Sequence, residues 1–231
     1  MSVKQNYEDV QATLHAACKR TGRDPDLIHI IAVTKYVSIE RAKEAVDAGV
    51  LHLGENRPEE AMEKYDAIGG TATWHFIGNL QSKKVKKILH AYDYIHSLDR
   101  LSLAKEIHKR ATESAKIKCF VQVNVSGEAS KSGVTPEETL PFIEKLADYP
   151  SIEVVGLMTM APLTDNKGIL RETFKSLREL KDTIAAKKFA HAPCKELSMG
   201  MSNDFEIAVE EGATFVRIGS SLVGHDKEVK A

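Results

Sequence analysis

The strongest constraint on this chain is an alternation that runs its whole length: short runs rich in β-branched residues, each followed by a stretch with helical spacing. The apolar runs fall at about 28–36, 50–56, 74–78, 94–97, 119–125, 154–160, 196–200 and 214–219. Helical patterns occupy about 38–48, 58–68, 81–91, 98–114, 136–148, 168–187 and 203–211, with Ser38, Pro58 and Pro136 as starts and Gly49 as a stop. The run from Ile28 to Tyr36 suits a buried parallel strand better than a helix. About eight strand-helix units in 231 residues predict one (β/α)8 barrel rather than a doubly wound open sheet. Residues 1–231 are read as a single domain without an internal linker. An additional amino-terminal helix over about 3–20 carries Val3, Tyr7, Val10, Leu14 and Ala17 on one face, stops at Gly22, and is expected to cover one end of the core.

Several function classes are disfavoured. With 32 basic and 33 acidic residues the net charge is −1, so nothing draws the whole chain to nucleic acid or to an anionic membrane. No stretch approaches the roughly 18 apolar residues of a membrane span, and the polar amino terminus does not resemble a signal peptide, so a cytoplasmic location is expected. Cys18, Cys119 and Cys194 are odd in number and widely spaced, which fits reduced thiols. His191 and Cys194 have a ligand-like spacing without further ligands, so no metal is expected. His75 and His96 fall on strands and are read as hydrogen-bonded core or rim histidines. The run Lys83, Lys84, Lys86, Lys87 reads as a solvated helix face; a binding surface for RNA or an acidic protein, or a landing site for a phosphorylated cofactor, are the other readings.

What stands at the carboxyl ends of the strands points to a site. Lys35, Asn56, Ser97, Asn124 with Ser126, Met158, Ser198 through Ser202, and Arg217 would share one rim of the barrel, where barrel enzymes keep their chemistry. Lys35 ends the first strand. An amine against apolar walls is disfavoured in its charged form and becomes a nucleophile toward carbonyls, although a solvated surface lysine has the same sequence signature. Ser198 to Asp204 and Gly219-Ser220-Ser221 follow strands seven and eight, the usual place for a phosphate, with glycines for close approach, hydroxyls as donors and amides at a helix start. Ser202 could instead cap the next helix and Gly219 could merely allow a turn.

A phosphate grip on one side and a lysine amine on the other suit a ligand with both a phosphate and an aldehyde, of which pyridoxal phosphate is the common example. Arg217 would then lie near the ring. An arginine facing the pyridine nitrogen keeps that nitrogen unprotonated and weakens the ring as an electron sink. Pairing of Arg217 with Glu206, Glu210 or Glu211 is the competing reading.

The motifs Ala32-Val33-Thr34-Lys35, Gly54-Glu55-Asn56-Arg57, Trp74 through Lys83, Gly156 through Met160, Leu197 through Ser202 and Val216 through Ser220 closely resemble, in order, the pyridoxal phosphate homeostasis proteins. The resemblance spans nearly the whole chain. It implies a TIM barrel similar to the amino-terminal domain of alanine racemase and of fold-type III decarboxylases. It also implies that Lys35 forms the internal aldimine, that Ser202, Gly219 and Ser220 hold the phosphate, that Arg217 approaches the ring nitrogen and that Asn56 lines the pocket. Met158 and Ser198, from their places at strand ends, are added to the expected cofactor-binding set. Ser220 replaces a threonine frequent in relatives and keeps the hydroxyl.

The role so implied is non-catalytic: buffering or delivering pyridoxal 5'-phosphate, with PLP-dependent apo-enzymes as partners and an indirect effect on amino-acid and keto-acid metabolism. Eight units consume the chain, leaving no second domain to supply an opposing acid or base and exclude water, which also favours a monomer. Tyr36 is too near Lys35 in sequence to be taken as that group. The alternative is a weak PLP-dependent amino-acid racemase or lyase.

Overall fold

The eight apolar runs become the eight strands of one closed parallel barrel in the computed structural model, which describes residues 2–112, 114–128 and 131–224. The strands are β1 (His29–Val33), β2 (His52–Glu55), β3 (Thr73–Phe76), β4 (Tyr94–Leu98), β5 (Ile117–Gln122), β6 (Ile152–Met158), β7 (Glu196–Met201) and β8 (Phe215–Ile218). Each pairs with the next, and β8 pairs with β1 in the register His29 to Phe215 and Ile31 to Arg217, closing the sheet. A closed sheet leaves no edge exposed.

Strand periodicity divides the apolar residues into two cores. Ile30 and Ala32 belong to the large layer between barrel and helices, whereas Ile31 lies inside the barrel with Phe120, Val155, Met158 and Phe215. Gly54 faces the same interior: a Cβ there would stand 2.8 Å from the Ile31 Cγ2, so this position must lack a side chain.

The outer ring consists of α1 (Val3–Thr21), α2 (Ile39–Asp47), α3 (Pro58–Ile68), α4 (Val85–Ile88), α5 (Leu101–Arg110), α6 (Pro136–Lys145), α7 (Lys167–Ala185) and α8 (Phe205–Glu210). Sequence and structure agree closely on α1, which Ser2 caps by accepting from the Gln5 N–H and Gly22 ends with φ of 70°. Its position differs from the expectation. Rather than covering an end of the barrel, α1 packs between α8 and α2, the place that a crossover helix from β8 back to β1 would take. Arg20 pairs with Glu206 and Glu210 of α8, and Asn6 donates to the Leu222 carbonyl at 2.9 Å, tying α1 to the segment after β8. The helix expected over 81–91 is shorter: a 3₁₀ turn at Ser82–Lys84 leads into the single turn α4. Among the described residues, no helix is long and apolar enough to cross a membrane.

Candidate functional site

A cavity of about 740 Å³ opens at the carboxyl ends of the strands. Six of the eight residues singled out in the sequence line it: Lys35, Asn56, Ser202, Arg217, Gly219 and Ser220. They arrive from β1, β2, β7 and β8, so only closure of the barrel brings them together.

Lys35 does not end a strand. β1 stops at Val33, and Lys35 sits in a turn closed by the Val37 N–H donating to the Thr34 carbonyl at 3.2 Å. Its side chain is half-buried in the cavity wall, with the ammonium 4.9 Å from the centre of the Tyr36 ring, which also lines the cavity. A buried ionic cluster anchors the backbone just before it. Lys64 donates to the Thr34 carbonyl and, at 2.8 Å, to Glu55 Oε1, which also accepts from the Thr34 hydroxyl at 2.6 Å. Burial pushes the Glu55 carboxyl up, while the Lys64 ammonium and the Thr34 hydroxyl pull against it.

At the ends of β7 and β8, two loops meet through hydroxyls. Ser202 follows β7, and its Oγ accepts from the Gly219 N–H at 3.3 Å and from the Ser220 hydroxyl at 3.4 Å. Ser202 is therefore not a helix cap. The residue before α8 is Asp204, whose carboxylate turns back to accept from the Met201 N–H at 2.5 Å. Burial pushes the Asp204 carboxyl up, opposed by that N–H and by Arg217. The β7 loop turns at Gly200, with φ of 91°, where a Cβ would lie 2.6 Å from that of Ala208. Because α8 is only six residues long, an anion here would be held by hydroxyls and loop amides rather than by a helix dipole.

Arg217 is 5% exposed and, among the described residues, bonds no carboxylate. Glu206, Glu210 and Glu211 pair instead with Arg20, Arg171 and Arg178 on the outer ring. The guanidinium donates through Nη1 to the Ser198 hydroxyl at 2.6 Å and through Nη2 to the Thr159 carbonyl at 2.8 Å. Burial lowers its pKa to about 10, with Asp204 opposing the shift.

Two expected lining residues lie deeper. Met158 packs in the barrel interior with Phe120 and Phe215, and Ser198 is buried beneath the cavity, bonded to Arg217 and to His96. Both point inward one layer too low; Met160 and Ser202, further along the same segments, reach the cavity in their place. Ser97, Asn124 and Ser126 do not line it, and Asn124 donates to the Glu128 carbonyl within the loop after β5. His75 and His96 are fully buried and hydrogen-bonded, as the strand positions suggested. His191 bonds the Ile143 carbonyl, and among the described residues no His, Cys, Asp or Glu cluster is disposed to hold a metal. Lys84 and Lys87 pair with Glu59 outside the cavity.

Sequence reasoning did not single out Tyr36, Asn79, Met160 or Asp204 as lining residues, although Asp204 ends a run it had marked. Nor did it find Lys64, since a lysine inside a helical pattern carries no sign of a buried partner 30 residues away.

The arrangement can grip one small ligand at three points. Lys35 offers an amine, the Ser202–Gly219–Ser220 loops offer donors to an anion, and Arg217 offers a cation that no carboxylate among the described residues bonds. Asn56 Oδ1 is buried and has no hydrogen-bond partner among the described residues, which leaves one acceptor for a polar group of that ligand. The residues present therefore fit a phosphorylated aldehyde with an aromatic nitrogen.

Comparison with known proteins finds relatives that span nearly the whole chain. The family described as alanine racemase, N-terminal domain, matches residues 4–227. A pyridoxal phosphate homeostasis protein of Aquifex aeolicus is 40% identical over 229 residues, covering 98% of this chain and 100% of that protein. The structure of PipY from Synechococcus elongatus with PLP bound superposes with a TM-score of 0.83 at 29% identity, covering 96% of this chain and 100% of that one. An alanine racemase from Corynebacterium glutamicum shares the fold at 18% identity and a TM-score of 0.70, with 96% of this chain matching 64% of that one.

Proposed function

Since the chain belongs to the family of pyridoxal phosphate homeostasis proteins, we propose that it binds pyridoxal 5'-phosphate through Lys35 and acts as a carrier of that cofactor rather than as an efficient enzyme. The observation that carries this reading is the convergence of Lys35, the paired Ser202 and Ser220 hydroxyls and Arg217 on one cavity. When bound, the cofactor supplies an electrophilic aldehyde carbon and an electron-accepting ring. The chain's own residues position it. Lys35 provides the amine that holds the aldehyde carbon. Ser202, Gly219 and Ser220 would donate to the phosphate, Arg217 would donate to the ring nitrogen and so disfavour a proton there, and the unpartnered Asn56 Oδ1 would accept from a polar group of the cofactor.

This division of labour favours storage over turnover. A ring nitrogen kept unprotonated is a weak electron sink, and the cavity opens to solvent at its mouth, where Tyr36 and Met160 are exposed. The partners of such a carrier are PLP-dependent apo-enzymes that take up the cofactor, and its effect on amino-acid and keto-acid metabolism is indirect. Absorption spectra of the purified protein with added cofactor, before and after borohydride reduction, test the reading. A reduced adduct mapped to Lys35 and lost in Lys35→Ala is expected; an adduct elsewhere, or none, overturns it.

A second reading, weak racemase or lyase activity on amino acids, draws on Tyr36, an ionisable group beside Lys35 in the cavity. Stereospecific amino-acid loss well above the rate of free cofactor, abolished in Tyr36→Phe, would establish it. Turnover no faster than free cofactor would remove it.

A further inference from the structure

The barrel interior holds a polar file that the proposed function does not use. His52 Nδ1 lies 2.9 Å from His75 Nε2, His75 Nδ1 lies 2.9 Å from His96 Nε2, and His96 Nδ1 lies 2.9 Å from Ser198 Oγ, to which Arg217 Nη1 donates at 2.6 Å. The file starts at partly exposed His52, which opens β2 at the amino-terminal end of the barrel, and ends beneath the cavity. Aromatic rings pack along it: Tyr94 stacks on His75 at 4.7 Å, Phe120 on His96 at 4.3 Å, and Phe215 contacts all three imidazoles. Among the described residues no carboxylate bonds any of these rings. The nearest titratable neighbours are His29 and Tyr94, with Glu196 facing His29, and Arg217 with Asp204 at the cavity end.

One end of the file is chemically fixed. A guanidinium only donates, so Ser198 Oγ must accept from Arg217. Ser198 Oγ keeps a second lone pair, but among the described residues its proton has a single acceptor in reach, the His96 Nδ1 lone pair, so donation to His96 is the arrangement that uses every group. An acceptor at Nδ1 places the proton of neutral His96 on Nε2, which donates to His75 Nδ1; the same step repeats from His75 to His52. Any protonated imidazole would break the sequence and set a second buried cation near Arg217. All three rings thus point their electron-rich nitrogens toward Arg217, and their aligned dipoles act as a neutral counterpart to its charge where a carboxylate would otherwise be needed.

Resting on the reading of the cavity as a pyridoxal phosphate site, we propose that His52, His75, His96 and Ser198 are positioning residues: a polarised relay that holds Arg217 charged and aimed at the cofactor without a carboxylate that would compete for it. A bonded carboxylate would occupy the donors that the ring nitrogen needs. The relay leaves them free.

Side-chain ¹⁵N spectra of the full chain at pH 7.5, without added cofactor, test the polarity directly. The expected result is the Nε2–H tautomer at His52, His75 and His96 together; an Nδ1–H tautomer at any of them overturns the proposal. In Ser198→Ala the fixed end is lost, and tautomer populations should change at all three rings, including His52 two links away. A change confined to His96 would mean packing alone and would also overturn it. Ser198→Thr, which keeps the hydroxyl, should restore the wild-type pattern. In protein loaded with pyridoxal phosphate, Ser198→Ala and His96→Gln should release cofactor at least about tenfold more readily, because a hydrogen bond to a charged group is lost, and should shift the visible band; unchanged release and an unchanged band would show that the relay does not act on the site. If wild-type protein binds no cofactor, the proposed function fails while the tautomer result stands by itself.

Discussion

The hydroxyls of Ser202 and Ser220 stand 3.4 Å apart although they belong to different loops, one following β7 and the other β8. The Gly219 N–H, 3.3 Å from Ser202 Oγ, completes a small polar cluster in the cavity that Lys35 also lines. An anion placed here would replace a hydroxyl-to-hydroxyl bond with stronger charge-assisted ones.

Ser202→Ala is accordingly expected to weaken pyridoxal phosphate binding by about 1.5–3 kcal/mol, roughly ten- to hundredfold. Since the two hydroxyls bond each other, the Ser202→Ala, Ser220→Ala double variant should lose less than the sum of the single losses. Titration of the cofactor's visible absorption measures all three; strictly additive losses would show that the hydroxyls act independently.

Lys64→Met should destabilise the fold by about 3–5 kcal/mol, because it leaves the fully buried Glu55 carboxylate without its cation. Adding Glu55→Gln should recover most of that loss. Urea unfolding of the single and double variants reads the difference directly, and a double variant no more stable than Lys64→Met would mean that the anchoring of the Thr34 carbonyl, rather than charge, is what matters.

Acid should destabilise this protein early. Burial, with the neighbouring His29, lowers His52 to about 4, and burial holds His75 and His96 well below the ordinary histidine value. Folded values below the unfolded one mean that the unfolded chain binds protons first. The stability is then complete above about pH 6.5 and is lost as pH falls toward 4, at up to about 1.4 kcal/mol per pH unit for each histidine. Urea midpoints at pH 7 and pH 5 provide the check: the second should be clearly lower, and equal midpoints would contradict the burial argument.

Alanine at Lys83, Lys84, Lys86 and Lys87 together should leave cofactor binding and transfer unchanged. These residues lie outside the cavity, and the Lys84 and Lys87 pairs with Glu59 are exposed ones, screened by water. Stopped-flow transfer to an apo-enzyme tests this; a slower transfer would revive the run as a landing site for the phosphorylated cofactor.

Much of this architecture was legible in the order of the residues. Runs such as Ile28 to Val33 and Cys119 to Gln122 are short and carry β-branched or aromatic residues, and each became part of a strand of the barrel. Ends were less legible, since apolar residues beyond a strand look the same as those within it. Lys35 thus lies in a turn two residues past β1, and the lysine-rich stretch after β3 supports one helical turn rather than three. Met158 and Ser198 stood at plausible strand ends, but which layer of a barrel a residue occupies depends on strand stagger, which spacing along one chain does not record.

The sequence by itself determined the class of fold and the residue types at the rim, because strand and helix periods, turn residues and the amine, hydroxyl and guanidinium groups are local properties. The tertiary structure alone decided that α1 closes the ring between α8 and α2, that Thr34, Glu55 and Lys64 form one buried cluster, and that four strands line up His52, His75, His96 and Ser198 beneath Arg217. The hydrogen bonds of that cluster and that file join residues from 9 to 102 positions apart, and a pairing at that distance follows from how the sheet closes on itself.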